Sequence, residues 1–146
     1  MRAVFIDGDA CPVKEEIISE AGKHALPVVL IISVSHAQQL DGVEIVQVDN
    51  VPEAVDIAIA NRVRRGDIVV TQDYGLASLV LAKGAMAISP RGLIFDANNI
   101  DDLLLQRYLS AVERRSGGRV KGPPAFTAAD KTKFAERFCH LIESSY

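Results

Sequence analysis

The sequence predicts an α/β fold: a three-layer, mainly parallel sheet with helices on both faces and a helical C-terminal extension. Three observations predict it. Short apolar runs bounded by turn signals recur along the first 95 residues, stretches with apolar side chains at i, i+4 spacing lie between them, and the pattern after Phe95 is helical throughout. The 146 residues fit a single domain, 1–146, divided into an α/β core (1–95) and C-terminal helices (96–146) that pack on it.

The elements follow in order. Ala3 to Ile6 reads as a buried strand, and Pro12 suits the first turn of a helix whose face is Val13, Ile17, Ala21 and Ala25. Pro27 stops that helix and opens a strand from Val28 to Val34. The Asp41-Gly42 turn leads into a third strand, Val43 to Val48. Val55, Ile59 and Val63 mark a second helix, ended by Gly66-Asp67 before the strand Ile68 to Thr71. Leu76, Leu79 and Val80 outline a third helix with Lys83-Gly84 as its stop, and Ala85 to Ile88 is the last strand. Ile100, Leu103, Leu104, Tyr108 and Val112 then form one helical stripe. A Gly-rich stretch, Ser116 to Pro124, separates it from a final helix carrying Phe134, Phe138, Leu141 and Ile142, which Thr127 and Asp130 open as a capping box.

Composition excludes several classes. With 49% hydrophobic residues, the chain is neither disordered nor a disulfide scaffold. Asp7 interrupts the N-terminal apolar run too early for a signal peptide, and the run Pro27 to Ile32 is too short to span a membrane, so a cytoplasmic location is expected. Cys11 and Cys139 stand far apart without metal-ligand spacing, which suits reduced thiols, and packing is the expected role of Cys11. His24, His36 and His140 show no metal spacing either. The net charge of −3 hides a polarity. Residues 1–60 hold 3 basic and 10 acidic side chains, whereas residues 61–146 hold 13 basic and 9 acidic.

The acids fall where ligands bind in open α/β sheets, beyond the carboxyl ends of strands. Asp7 and Asp9 follow the first strand, Asp49 the third and Asp73 the fourth, with Asp56 in the first turn of a helix. Turn and cap chemistry accounts for any one of them. Several together repel one another and call for a hard cation, Mg²⁺ or Mn²⁺. Arg114, Arg115, Arg119 and Lys121 make a Gly-rich basic run suited to phosphate oxygens, although a solvated connector has the same composition. Arg91, Lys14, His36 and Thr71 are further candidates for substrate contact.

The segments Asp7-Gly-Asp9-Ala-Cys11-Pro12-Val-Lys14, Gly66-Asp67-Ile-Val-Val-Thr71-Gln-Asp73, Ser89-Pro90-Arg91-Gly92 and Lys121-Gly-Pro-Pro together resemble the YaiI/YqxD family of uncharacterised bacterial proteins. The family's usual opening has Ala where this chain has Gly8. The family looks like a branch of the PIN-like nuclease superfamily. The resemblance implies a Mg²⁺ or Mn²⁺ pocket with Asp7, Asp56 and Asp73 as catalytic acids, and a fourth acid for which Asp9 is the first choice, ahead of Asp49 and Glu16. The expected function is therefore divalent-metal-dependent cleavage of nucleic acid, RNA or DNA. Two alternatives stand beside it: a non-catalytic nucleic-acid- or protein-binding module on the same fold, and a phosphatase of the haloacid dehalogenase type, whose first motif Asp7-x-Asp9 also resembles.

Overall fold

The computed structural model describes residues 2–8, 10–33, 40–120, 122 and 124–144. Six strands form one sheet in the order β3-β2-β1-β4-β5-β6. They are β1 (Val4–Asp7), β2 (Val28–Ser33), β3 (Val43–Val48), β4 (Ile68–Val70), β5 (Met86–Ile88) and β6 (Ile94–Phe95). The first five strands run parallel, and β6 pairs antiparallel to β5. The helices are α1 (Lys14–Lys23), α2 (Ala54–Arg62), α3 (Tyr74–Ala82), α4 (Ile100–Arg115) and α5 (Ala128–Ser144).

The central strands read as unbroken apolar runs because both of their faces are covered. Val4 and Ile6 of β1, Leu30 and Ile32 of β2, and Ile68 and Val70 of β4 point into a core closed by α1 and α5. Phe5, Val29, Ile31 and Val69 point the other way, against α2 and α3 and the first turns of α4. At the edge, β3 leaves Glu44 and Gln47 in solvent, and Glu44 pairs with Arg62 at 3.1 Å.

Several details differ from the sequence expectation. Lys23 ends α1, and Ala25 turns left-handed (φ 56°) and lies exposed, so Pro27 finds the helix already closed. The strand β6 was hidden because two residues carry no periodicity. Its partner hairpin is closed by Gly92 at φ 90°, where a side chain would meet the main chain of Lys133 at 3.1 Å. Tyr108 is 60% exposed and leaves the expected buried stripe. Only the first half of α4 rests on the core, through Ile100, Leu103 and Leu104. The capping box of α5 is present: Thr127 N–H donates to Asp130 Oδ2 at 2.9 Å, and Asp130 N–H donates to Thr127 Oγ1 at 3.2 Å.

At the amino end of the sheet, Asp67 is buried at 3% exposure. Its two oxygens accept the main-chain N–H groups of Ala3 (2.9 Å) and Arg64 (2.8 Å), joining β1 to the turn before β4. Buried without those donors, a carboxylate would cost several kcal/mol.

Gly8 marks the opposite end. A Cβ there would lie 2.1 Å from Leu30 Cδ1 and 3.1 Å from the Ile31 carbonyl oxygen. Leu30 is fully buried and occupies the space that an alanine at position 8 would need. We expect Gly8→Ala to destabilise the fold by about 1–3 kcal/mol through overpacking. Adding Leu30→Val should restore part of that loss, and urea unfolding of the single and double variants measures both.

Candidate functional site

The chain travels from β1 out to β2 and β3, then crosses back to β4 and β5, so the direction reverses between β1 and β4. Crevices open at such a reversal, beyond the carboxyl ends of the strands. Asp7 ends β1, and Thr71 follows β4 one step beyond the Ile6–Val70 pair. The Thr71 hydroxyl, 1% exposed, donates to Asp7 Oδ2 at 2.7 Å and accepts the Asp73 N–H at 3.0 Å. A single hydroxyl therefore orients one carboxylate and fixes the backbone of the next. Asp73 is the N-cap of α3, its Oδ1 accepting the Leu76 N–H at 3.1 Å. That is the structural role turn chemistry allows, and it holds the side chain at the crevice.

Asp56, in the first turn of α2, closes the group by facing Asp73 closely enough for the two carboxyls to interact. Its pKa is raised to about 7. Burial is the largest cause, followed by the hydrogen bond to Asp73, the Asp73 charge, and the charges of Asp7 and Glu53. Glu53 precedes α2 in a left-handed conformation (φ 67°), which is uncommon for a residue other than glycine, asparagine or aspartate. Asp7, Asp56, Asp73 and Thr71 are thus brought to one place.

A cavity of about 420 Å³ opens beside them between α2, α3 and α4, lined by Asp56, Asn61, Asp73 and Arg107 among others. Arg107 places Nη1 3.5 Å from Asp73 Oδ1 and is 56% exposed. The sequence reading missed it, because a single arginine inside a helix of mixed polarity carries no spacing signal. Gly75 is the local clue. A side chain there would stand 3.2 Å from Asp73 Oδ1 and 3.4 Å from Arg107 Nη1, in the approach between the two.

The remaining candidates are distributed differently. Arg91 borders a second hollow at the same edge with Gln72 and Tyr74. Its guanidinium is engaged, however: it pairs with Asp130 Oδ2 at 3.2 Å, donates to the Pro124 carbonyl and lies 5.6 Å from the Phe126 ring centre. The Ser89-Pro90-Arg91-Gly92 segment therefore anchors the entry to α5. Arg119 is exposed in the connector after α4, and Lys14 opens α1. Asp49 is exposed beyond β3. Asp9, His36 and Lys121 lie outside the described residues. Burial pushes the Cys11 thiol up to about 11, which suits packing and not nucleophilic attack.

Three carboxylates facing one exposed guanidinium carry excess negative charge, and protonation of Asp56 relieves it. A divalent cation with a preference for oxygen relieves the same charge, so the donor set fits Mg²⁺ or Mn²⁺. The three acids are not gathered as tightly as one ion's ligand shell. Among the described residues, the one trio with ligand atoms within 4.8 Å of one another is Glu20, His24 and Cys139, on α1 and α5. Sequence spacing gives no sign of this trio, because its members meet only through the packing of α5 on α1.

The raised pKa of Asp56 has a sign. The folded chain holds this proton more tightly than the unfolded chain, so stability falls as pH rises from about 4 to about 7. In chelator-treated buffer, Asp56→Asn should match the wild type near pH 4 and exceed it near pH 8. After solvent screening is allowed for, the gain is about 1–2 kcal/mol. Urea unfolding across that pH range checks it.

The family model described as "Uncharacterized BCR, YaiI/YqxD family" matches residues 5–144. UPF0178 proteins of Bacillus cereus, Bacillus thuringiensis subsp. konkukian and Bacillus anthracis are each 49% identical over 142 residues, covering 95% of this chain and 97% of theirs. Among solved structures, a mutant of Rae1 (YacP) from Bacillus subtilis aligns over the full length of both chains, with a TM-score of 0.49 and 14% identity. That superposition is too loose to transfer residues. With nearly its whole length matched, the chain belongs to the YaiI/YqxD (UPF0178) family.

Proposed function

We propose that the protein is a divalent-metal-dependent nuclease or phosphodiesterase acting on nucleic acid. The observation that carries this reading is the convergence of Asp7, Asp56 and Asp73 where the chain reverses across the sheet, with Thr71 between two of them. Asp7, Asp56 and Asp73 would hold Mg²⁺ or Mn²⁺, with Asp9 as a fourth. When bound, the cation supplies positive charge for a phosphate and lowers the pKa of a water molecule.

The chain's own groups divide the remaining work. Thr71 keeps Asp7 in one orientation, and the α3 cap keeps Asp73 in another. Arg107, exposed on the cavity wall, offers a forked cation to phosphate oxygens, and a bound phosphate there would compete with Asp73 for it. Arg119, exposed in the connector after α4, is a candidate contact for flanking phosphates, with Lys121, Lys14 and His36 as further candidates. Arg91 serves the substrate only at the expense of its pair with Asp130.

Asp73→Asn is a clean test, since asparagine also caps helices well and should preserve α3. We expect Mn²⁺-dependent cleavage of single-stranded RNA or DNA to fall by roughly 100-fold or more, with an unchanged circular dichroism spectrum. Equal cleavage by variant and wild type would overturn the proposal. The alternative, a non-catalytic binding module, draws on the structural use of Asp73 as a cap. RNA binding that ignores divalent ions and survives Asp7→Asn would favour it.

A further inference from the structure

We propose that Glu20, His24 and Cys139 form a second metal site, for a borderline transition-metal ion best matched by Zn²⁺, which fastens the C-terminal helix to α1. The trio lies on the α1/α5 face of the sheet, whereas the carboxylate cavity lies among α2, α3 and α4, so the two sites would hold separate ions.

Sequence and topology together create the trio. Glu20 and His24 are i, i+4 neighbours at the end of α1 and therefore share one helical face. Ile17 and Ala21 of α1 pack in one core with Phe134, Phe138, Leu141 and Ile142 of α5. That packing brings Cys139, next to the fully buried Phe138, over the end of α1. The result is one oxygen, one nitrogen and one sulfur ligand atom within 4.8 Å of one another. His24 Nε2 and Glu20 Oε1 are 3.9 Å apart.

Tetrahedral zinc, with bonds of about 2.0–2.3 Å, sets its ligand atoms roughly 3.3–3.8 Å apart. The trio is wider by about an ångström, within reach of small side-chain rotations. A further oxygen is at hand, for Cys139 Sγ stands 3.5 Å from Glu143 Oε1 one turn along α5. Glu143 or water can complete four ligands.

The surroundings suit such a site. The Glu20 and His24 side chains are only 15% and 21% exposed, which limits competition from water while leaving a path for entry. Lys23 Nζ donates to Glu20 Oε2 at 3.3 Å, leaving Oε1 as the oxygen toward His24. Ligands of metal sites are commonly oriented by such outer partners. A thiolate and an imidazole together select against Mg²⁺ and Ca²⁺, so this site and the carboxylate edge would sort their ions by chemistry. On binding, the Cys139 thiol releases its proton to solvent as the sulfur–metal bond forms.

The full-length chain, stripped with chelator and kept reduced, is titrated with Co²⁺ alone as a spectroscopic stand-in for zinc. We expect a near-ultraviolet thiolate-to-cobalt band that saturates at one ion per chain and disappears when Zn²⁺ is added. Cys139→Ser should abolish the band, and His24→Gln should weaken cobalt affinity by at least about 10-fold. Cys11→Ser and Asp73→Asn should leave it intact, which separates this site from the other thiol and from the carboxylate edge. Absence of the band in the wild type, its persistence in Cys139→Ser, or its loss in Cys11→Ser would each overturn the proposal. The wild-type titration alone decides the matter should Cys139→Ser fail to fold.

Discussion

The hydrogen bond from the Thr71 hydroxyl to Asp7 ties together the ends of β1 and β4, the strands between which the chain reverses across the sheet. Thr71 is buried, so its hydroxyl must be satisfied, and it is satisfied twice: as donor to Asp7 and as acceptor from the Asp73 main chain. Those two bonds set where α3 begins, and α3 in turn presents Asp73 to Asp56. A valine of the same shape would keep the strand but remove the hydroxyl bond to Asp7 and the one that holds the Asp73 main chain. The carboxylate group is therefore a consequence of sheet topology made specific by one hydroxyl.

Much of this was legible in the sequence. The parallel sheet followed from runs such as Val28 to Ile32, apolar at every position because helices cover both faces, and the acids followed from their places just after such runs. What escaped had no periodicity to read. β6 is two residues long, and the exposed half of α4 carries Leu105, Tyr108 and Leu109 in the same pattern a buried stripe would show. Arg107 reaches the carboxylates only because α4 folds back on α3. Glu20 and His24 stand one helical turn apart, as many surface pairs do, and the third member of their trio lies on the last helix, where only packing brings it near.

The basic residues carry a different lesson. Arg91 has the sequence setting of a phosphate contact: it follows a strand and precedes a glycine. In the folded chain it spans the hairpin and the entry to α5, with Asp130, the Pro124 carbonyl and the Phe126 ring as partners. Asp130 serves two partners at once, as the acid of the capping box and as the counter-ion of Arg91, and the Thr127 main-chain N–H leads in holding its carboxyl below the usual range. The positive charge of the second half of the chain is thus partly structural, and only part of it faces solvent.

Asp67 and Asp7 sit at opposite ends of paired strands and have opposite chemistry. Among the described residues, Asp67 accepts from main-chain donors alone, so its bonds follow the backbone and not the identity of a neighbouring side chain. Asp7 depends on a hydroxyl and on neighbours of its own charge. One end of the sheet is therefore a foundation and the other a workbench. A change at Asp67 would loosen the joint between β1 and the turn before β4, whereas a change at Asp7 would act first on the charge gathered beyond the opposite strand ends.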